Sequence, residues 1–253
     1  MKHLLNILFW SVISAAFIGP GTVTTAASSG ANFGFALLWA LVFSTFACVV
    51  LQEASARITI ISGKNLGQAI REQFKDRTSG LFVLLLVLGA IILGCAAYEA
   101  GNILGGVAGA ALGTGISAQL LTVFIGLAAG LLLYFSSTVV VARVMGVVVA
   151  LMGIAFLVTA ISLGPSLMEI LKGSFIPSMP SGSSLLVIGL VGTTVVPYNL
   201  FLGSGIAGNQ SLKDLRIGLS VAVIFGGIIS MGVLVVGTSV SGTFSFDALA
   251  DTL

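Results

Sequence analysis

Two short strings interrupt otherwise apolar runs in this 253-residue chain: Gly19-Pro20-Gly21-Thr22 and Val196-Pro197-Tyr198-Asn199. Each sits near the middle of a stretch long enough to cross a membrane. Proline removes a backbone donor, and its ring clashes with the carbonyl four residues back. Glycine lowers the cost of leaving helical geometry. In hydrocarbon, backbone groups freed in this way are tolerated only where they line a cavity or are buried in protein. One such interruption reads as an ordinary packing kink. Two, five spans apart and both rich in Gly, Thr or Asn, point to the central site of a transporter built from repeats.

Glu99 is the next residue with chemistry to offer. It lies inside an apolar run, in Cys95-Ala96-Ala97-Tyr98-Glu99-Ala100-Gly101-Asn102, where Tyr98 and Asn102 share a helical face. A carboxylate within the bilayer is expensive, so it faces a cavity, pairs or takes up a proton. Proton relay, cation ligand and a protonated group bonded to a neighbouring helix are all open readings. Glu53 stands one turn before Arg57 and reads as an i,i+4 ion pair. His3 reads as an exposed terminal residue, and Cys48 and Cys95 as packed thiols inside apolar runs. The glycines at 105, 106, 109, 113 and 115 suggest a flexible connection or close packing and form no phosphate loop. No Walker signature, paired catalytic acids or nucleophile elbow is present, which argues against an enzyme.

The elements that hold these residues follow from composition. The chain is 57% hydrophobic and only 7% charged, with a mean hydropathy of +1.19. A soluble domain carries about 25% charged residues, so water cannot be the main solvent here. Seven stretches approach the roughly 20 apolar residues that a spanning helix needs, near 5–28, 34–56, 81–104, 117–135, 143–163, 184–206 and 217–239. The first runs on past the length of a secretory signal and reads as a retained helix. Lys2, Arg57, Lys64, Arg71, Lys75, Arg77, Arg143, Lys213 and Arg216 fall on one side of such a bundle, and only Lys172 on the other. Cytoplasmic loops collect Lys and Arg, so the expected orientation is N-terminus inside, in a plasma (inner) membrane. The small net charge of +2, with no basic patch, gives no footing for nucleic acid. The segment from Gly242 to Leu253 reads as a connection or the start of a further helix, so the expectation is an incomplete chain that does not transport by itself.

Three strings carry a family resemblance. Ile18-Gly19-Pro20-Gly21-Thr22 through Gly30-Ala31-Asn32-Phe33-Gly34 resembles helix 1 of the NRAMP (natural resistance-associated macrophage protein) divalent-metal transporters. Leu51-Gln52-Glu53-Ala54-Ser55-Ala56-Arg57 with Ser62-Gly63-Lys64-Asn65-Leu66 resembles the end of their helix 2, and Gly189 to Leu200 resembles their helix 6. The resemblance implies an all-α polytopic membrane protein. Its transporter fold would be one of inverted five-helix repeats, with discontinuous helices 1 and 6 and alternating access around a midplane site. Residues 1–170 would form the first repeat and 171–253 the start of the second.

The same resemblance places the substrate site at Ala16, Gly19, Thr22, Thr193, Val196, Tyr198 and Asn199, with Ala16 and Thr193 acting through backbone carbonyls. It also adds Glu99 and Asn102 as a proton or cation pathway, although the register of the family's acidic residues differs here. The chain departs from the family where metal-transporting members have Asp-Pro-Gly-Asn and Met-Pro-His: it has Gly19-Pro20-Gly21-Thr22 and Val196-Pro197-Tyr198. Carboxylate, amide, thioether and imidazole are all replaced. Sulfur and imidazole suit soft transition metals, and oxygen suits Mg²⁺ and Ca²⁺; Mg²⁺ also keeps several waters. The hydroxyls of Thr22, Thr193, Thr194 and Tyr198 therefore favour a partly hydrated hard cation over Mn²⁺ or Fe²⁺. The reading is a secondary transporter of a divalent cation, with no cofactor and with the bilayer and the transported ion or small solute as its partners. A same-fold carrier of a non-metal solute and a non-transporting sensor or scaffold stand as alternatives.

Overall fold

The computed structural model describes residues 18–75, 79–135, 138–208, 211–240 and 244–252, with the side chains of 138–143 left aside. His3 and Ala16, the basic residues Lys2 and Arg77, the side chain of Arg143 and the first part of the first span lie outside that description. Regular structure among the described residues is helical throughout.

The helix boundaries follow from Pro and Gly. α1 (Pro20–Phe33) has proline in its first turn, where the lost donor is an orphan in any case. It ends at Gly34, whose φ of 56° favours glycine. A 3-10 turn (Gly34–Leu37) leads into α2 (Leu38–Ser62), which stops at Gly63 with φ 70°. α3 (Leu66–Phe74) opens with a capping box: the Asn65 side chain accepts from the Gln68 N–H at 2.9 Å, and Gln68 Oε1 accepts from the Asn65 N–H at 3.0 Å. α4 (Gly80–Thr114), α5 (Ala118–Phe135), α6 (Thr138–Ser162) and the short α7 (Leu167–Phe175) follow. Then come α8 (Ser184–Thr194), α9 (Pro197–Ile206), α10 (Leu212–Gly237) and the short α11 (Phe246–Ala250).

By length and composition, six stretches among the described residues can cross a membrane. The first, Pro20–Ser62, contains the turn at Gly34–Leu37 and so holds α1 and α2 together. Divided there, it accounts for two of the seven expected spans. Two boundaries depart furthest from expectation. α4 runs ten residues past 104, so the glycines at 105, 106, 109 and 113 are helical and not a loose connection. α2 likewise continues to Ser62, carrying Arg57 as its last basic residue.

α10 is the hub, packing on α1, α2 and α6. It runs antiparallel to α2: Thr45 lies against Gly227, and further along Glu53 meets Arg216. Where α10 crosses α1, backbone meets backbone. A Cβ at Gly30 would collide with the Leu234 carbonyl, and one at Gly237 with the Ala27 carbonyl. Small residues let membrane helices approach this closely. Large apolar side chains on α4 and α5, among them Leu81 at 71% and Phe124 at 70% exposure, face outward, as a bilayer permits and water does not.

The polar ends separate cleanly. At the start of α2, Trp39 donates to the Ser178 carbonyl at 2.9 Å and Ser178 donates to the Ala36 carbonyl at 3.0 Å, close to α7 and Lys172. Fourteen residues further along the same helix, about 21 Å from Trp39, Glu53 sits 3.6 Å from Arg57 and 2.8 Å from Arg216. The i,i+4 pair expected from sequence is present, with a third member from α10.

Candidate functional site

The two interrupted helices differ from their neighbours in backbone, as Pro20 and Pro197 require. Gly19 is extended at φ −136° and ψ −179°, and α1 begins at Pro20. Between α8 and α9, Val195 (φ −95°, ψ 73°) and Val196 (φ −88°, ψ 128°) leave helical geometry, and Pro197 restarts the helix. The Val195 N–H still donates to Val191 O at 2.8 Å, and the Asn199 N–H to Val196 O at 3.1 Å.

α4 links the two breaks. The hydroxyls of Thr22 on α1 and Tyr98 on α4 lie 3.3 Å apart. The Tyr98 ring meets the Tyr198 ring of α9 edge to face, centroids 5.8 Å apart. One turn on, Asn102 Oδ1 accepts from the Gly21 N–H at 3.4 Å, and Asn102 Nδ2 donates to Glu99 Oε2 at 3.4 Å. Gly105 makes the approach possible, since a Cβ there would come within 2.6 Å of the Pro20 Cβ. A cavity of about 340 Å³ opens beside this contact, lined by Gly21, Thr25, Tyr98, Gly101 and Thr193 among others.

Gly19, Thr22, Tyr198, Glu99 and Asn102 are thus gathered around one point, and Thr193 lines the adjoining cavity. The threonines of α8 do not offer free hydroxyl protons: Thr193 and Thr194 donate to the Leu190 carbonyl at 3.2 and 2.9 Å. Val196 is packed in an apolar cluster with Ile18 and Cys48. Asn199 is fully buried, and neither its Nδ2 nor its Oδ1 has a hydrogen-bond partner among the described residues. Glu99 is exposed on α4. No group of three or more His, Cys, Asp or Glu side chains gathers among the described residues, so the donors at the breaks are neutral oxygens, with Glu99 alone at their edge.

Two features escaped the sequence reading. Tyr98 is the residue that touches both broken helices, and only its i,i+4 relation to Asn102 was visible. The second is a polar stripe on α2. Cys48 donates to the Thr194 carbonyl at 3.5 Å, Gln52 Nε2 to Cys48 Sγ at 3.2 Å and Ser55 to the Leu200 carbonyl at 2.6 Å, while the Thr59 and Ser204 hydroxyls lie 2.7 Å apart. Positions 48, 52, 55 and 59 recur at helical spacing, the one signal that could have marked the stripe. It binds α2 to the broken span, and Gln52 Oε1 is buried without a hydrogen-bond partner among the described residues.

In this all-helical membrane fold, two helices that begin at Pro20 and Pro197 face each other across a third, a discontinuous-helix architecture. Comparison narrows this to a family. Residues 11–250 match the family model for natural resistance-associated macrophage protein-like (Nramp) proteins, and the chain belongs to that family. It is 26% identical over 243 residues to the divalent metal cation transporter MntH of Verminephrobacter eiseniae (strain EF01-2), covering 88% of this chain and 53% of that protein. It is 28% identical over 198 residues to MntH of Klebsiella pneumoniae (strain 342), covering 77% of this chain and 47% of that one. The crystal structure of the Eremococcus coleocola manganese transporter in complex with an aromatic bis-isothiourea substituted compound shares the fold. The TM-score is 0.68 at 21% identity, over 94% of this chain and 52% of that one. The chain spans about half the length of the relatives it matches.

Proposed function

We propose that these residues form the site-bearing part of a secondary transporter that moves a divalent cation by alternating access. A hard ion such as Mg²⁺ is favoured over Mn²⁺ or Fe²⁺. The carrying observation is that the two breaks meet at Thr22, Tyr98, Tyr198 and Asn102, where the donors are neutral oxygens. Oxygen donors suit hard cations, and Mg²⁺ retains much of its water shell. Carriage of a divalent metal also agrees with the named activity of the MntH relatives.

In this reading Gly19, Thr22, Thr193, Val196, Tyr198 and Asn199, with Ala16, surround the ion's position, and Glu99 with Asn102 forms the proton or cation pathway beside it. Residues 1–170 make the first repeat and 171–253 open the second. The basic end of α2 faces the cytoplasm, following the distribution of Lys and Arg. The cavity of about 340 Å³ beside Thr193 supports a second reading, carriage of a small uncharged or zwitterionic solute.

The test is flux in proteoliposomes with the full-length gene product, a panel of Mn²⁺, Mg²⁺ and Ca²⁺, and a pH dye inside. Saturable Mg²⁺ or Ca²⁺ uptake, weakened by Glu99→Gln, is expected. Folded protein that moves none of the three ions would sink the metal reading and leave the solute carrier or a sensor.

A further inference from the structure

Position 19 has no conformational need for glycine. Its φ of −136° and ψ of −179° lie in the extended region that any residue adopts. Space is what excludes a side chain. A Cβ built on Gly19 would stand 2.5 Å from Asn102 Oδ1 and 3.2 Å from Asn102 Cγ. The amide of a residue 83 positions later therefore occupies the volume into which residue 19 would project. Asn102 is held there by the Gly21 N–H on one side and by Glu99 on the other. The backbone of α4 comes close enough because residue 105 is glycine. A Cβ at Gly105 would strike Pro20, whereas one at Gly101 would stand 3.9 Å from the Gly21 Cα, an ordinary contact.

The geometry points to Asn102 as the specificity-determining residue of the first break: α4 supplies, as a neutral amide oxygen, the side-chain ligand that α1 lacks. This inference rests on the cation-transport reading and adds to it the identity of a ligand. An uncharged oxygen at that place lowers the attraction for a bare divalent ion, since desolvation is not offset by an opposite charge. It leaves an ion that keeps part of its water shell as the favoured occupant. Gly19 and Asn102 then act as one unit, and a side chain at 19 works by evicting the amide.

A double-mutant cycle on the full-length gene product tests this, with Mg²⁺ as the probe in titration calorimetry and the melting temperature as a second readout. Asn102→Ala is expected to weaken Mg²⁺ binding about tenfold, the scale of losing one hydrogen-bonding or charge-dipole contact. Gly19→Ala is expected to weaken it comparably, because the new methyl turns Asn102 aside. The double variant should be no weaker than either single one, the non-additivity of residues acting through one contact. Asn102→Asp, which keeps the oxygen and adds charge, should bind divalent ions at least as tightly as wild type. Unchanged affinity in Asn102→Ala, or losses that multiply in the double variant, would overturn the proposal.

If the wild-type protein binds no Mg²⁺, Mn²⁺ or Ca²⁺, the transport reading fails first, and the ligand role of Asn102 falls with it. The melting cycle still decides the packing beneath. Gly19→Ala should lower the melting temperature only when Asn102 is present, and an equal drop in both backgrounds would refute the shared volume.

Discussion

Gly237→Ala is the sharpest perturbation of the scaffold that carries the first break. The added methyl would collide with the Ala27 carbonyl oxygen and lie 2.7 Å from the Ala27 Cα and 2.9 Å from its carbonyl carbon. All three are backbone atoms of α1, so no rotamer relieves the contact. To restore an ordinary 3.4 Å separation, α1 and α10 must part by at least about 0.7 Å, the shortfall at the Ala27 Cα, and by more at its carbonyl oxygen. Overpacking of this kind costs about 1–3 kcal/mol, and an obstacle of rigid backbone places it near the top of that range. The Thr22–Tyr98 hydroxyl contact, already 3.3 Å, would open beyond hydrogen-bonding distance if α1 moved away from α4. The assay is thermal melting of the full-length gene product in detergent micelles, with Gly126→Ala on α5 as the control. A Cβ at Gly126 meets nothing within 4 Å, so that variant should gain up to about 1 kcal/mol of helix propensity. Gly237→Ala melting at or above wild type would refute the claim that backbone contact holds α1 against α10.

Two further substitutions probe the contacts around the broken span. Ser204→Ala removes a buried hydroxyl that stands 2.7 Å from Thr59 Oγ1 and accepts from the Leu66 N–H at 2.6 Å. Two groups are orphaned at once, so a loss of about 1–3 kcal/mol is expected, larger than that of Thr59→Val, with faster amide exchange at Leu66; equal melting temperatures for the two variants would count against it. Glu53→Gln loosens the bridge from Arg57 to Arg216, but Arg216 is 55% exposed, so the effect should stay within about 1 kcal/mol and shrink in about 1 M salt. A drop in stability that persists in high salt would mean the carboxylate is held by more than charge.

Both breaks were legible because proline and glycine act locally. Pro20 and Pro197 alter the backbone at their own positions whatever surrounds them: α1 begins at Pro20, and α9 resumes the helical path after α8 at Pro197. The Glu53–Arg57 pair was legible for the same reason, being one turn apart on one helix. Its third member, Arg216, lies 163 residues further on, and nothing in the local pattern signals a contact at that range. Thr193 and Thr194 show local chemistry working against the expectation. Their hydroxyls suggested ligands, but a threonine in a helix can return its proton to the carbonyl of the preceding turn, and both use Leu190. The α2 stripe had a readable period but residues too small and too weakly polar, taken singly, to attract notice.

The departures from the family motif can be weighed differently once the third helix is in view. Read along α1 alone, glycine at 19 and threonine at 22 look like the loss of a site. Across α1 and α4 together, each missing side chain has a polar group beside it from the other helix: Asn102 at the place of residue 19, and the Tyr98 hydroxyl against Thr22. A site that had merely decayed would be expected to fill with apolar side chains, because an unsatisfied polar group in hydrocarbon costs several kcal/mol. Here the breaks still meet at oxygens, and a further buried amide, that of Asn199 on α9, has no hydrogen-bond partner among the described residues. Polar groups at these positions fit the proposed passage of an ion better than packing alone, which apolar residues would serve at lower cost.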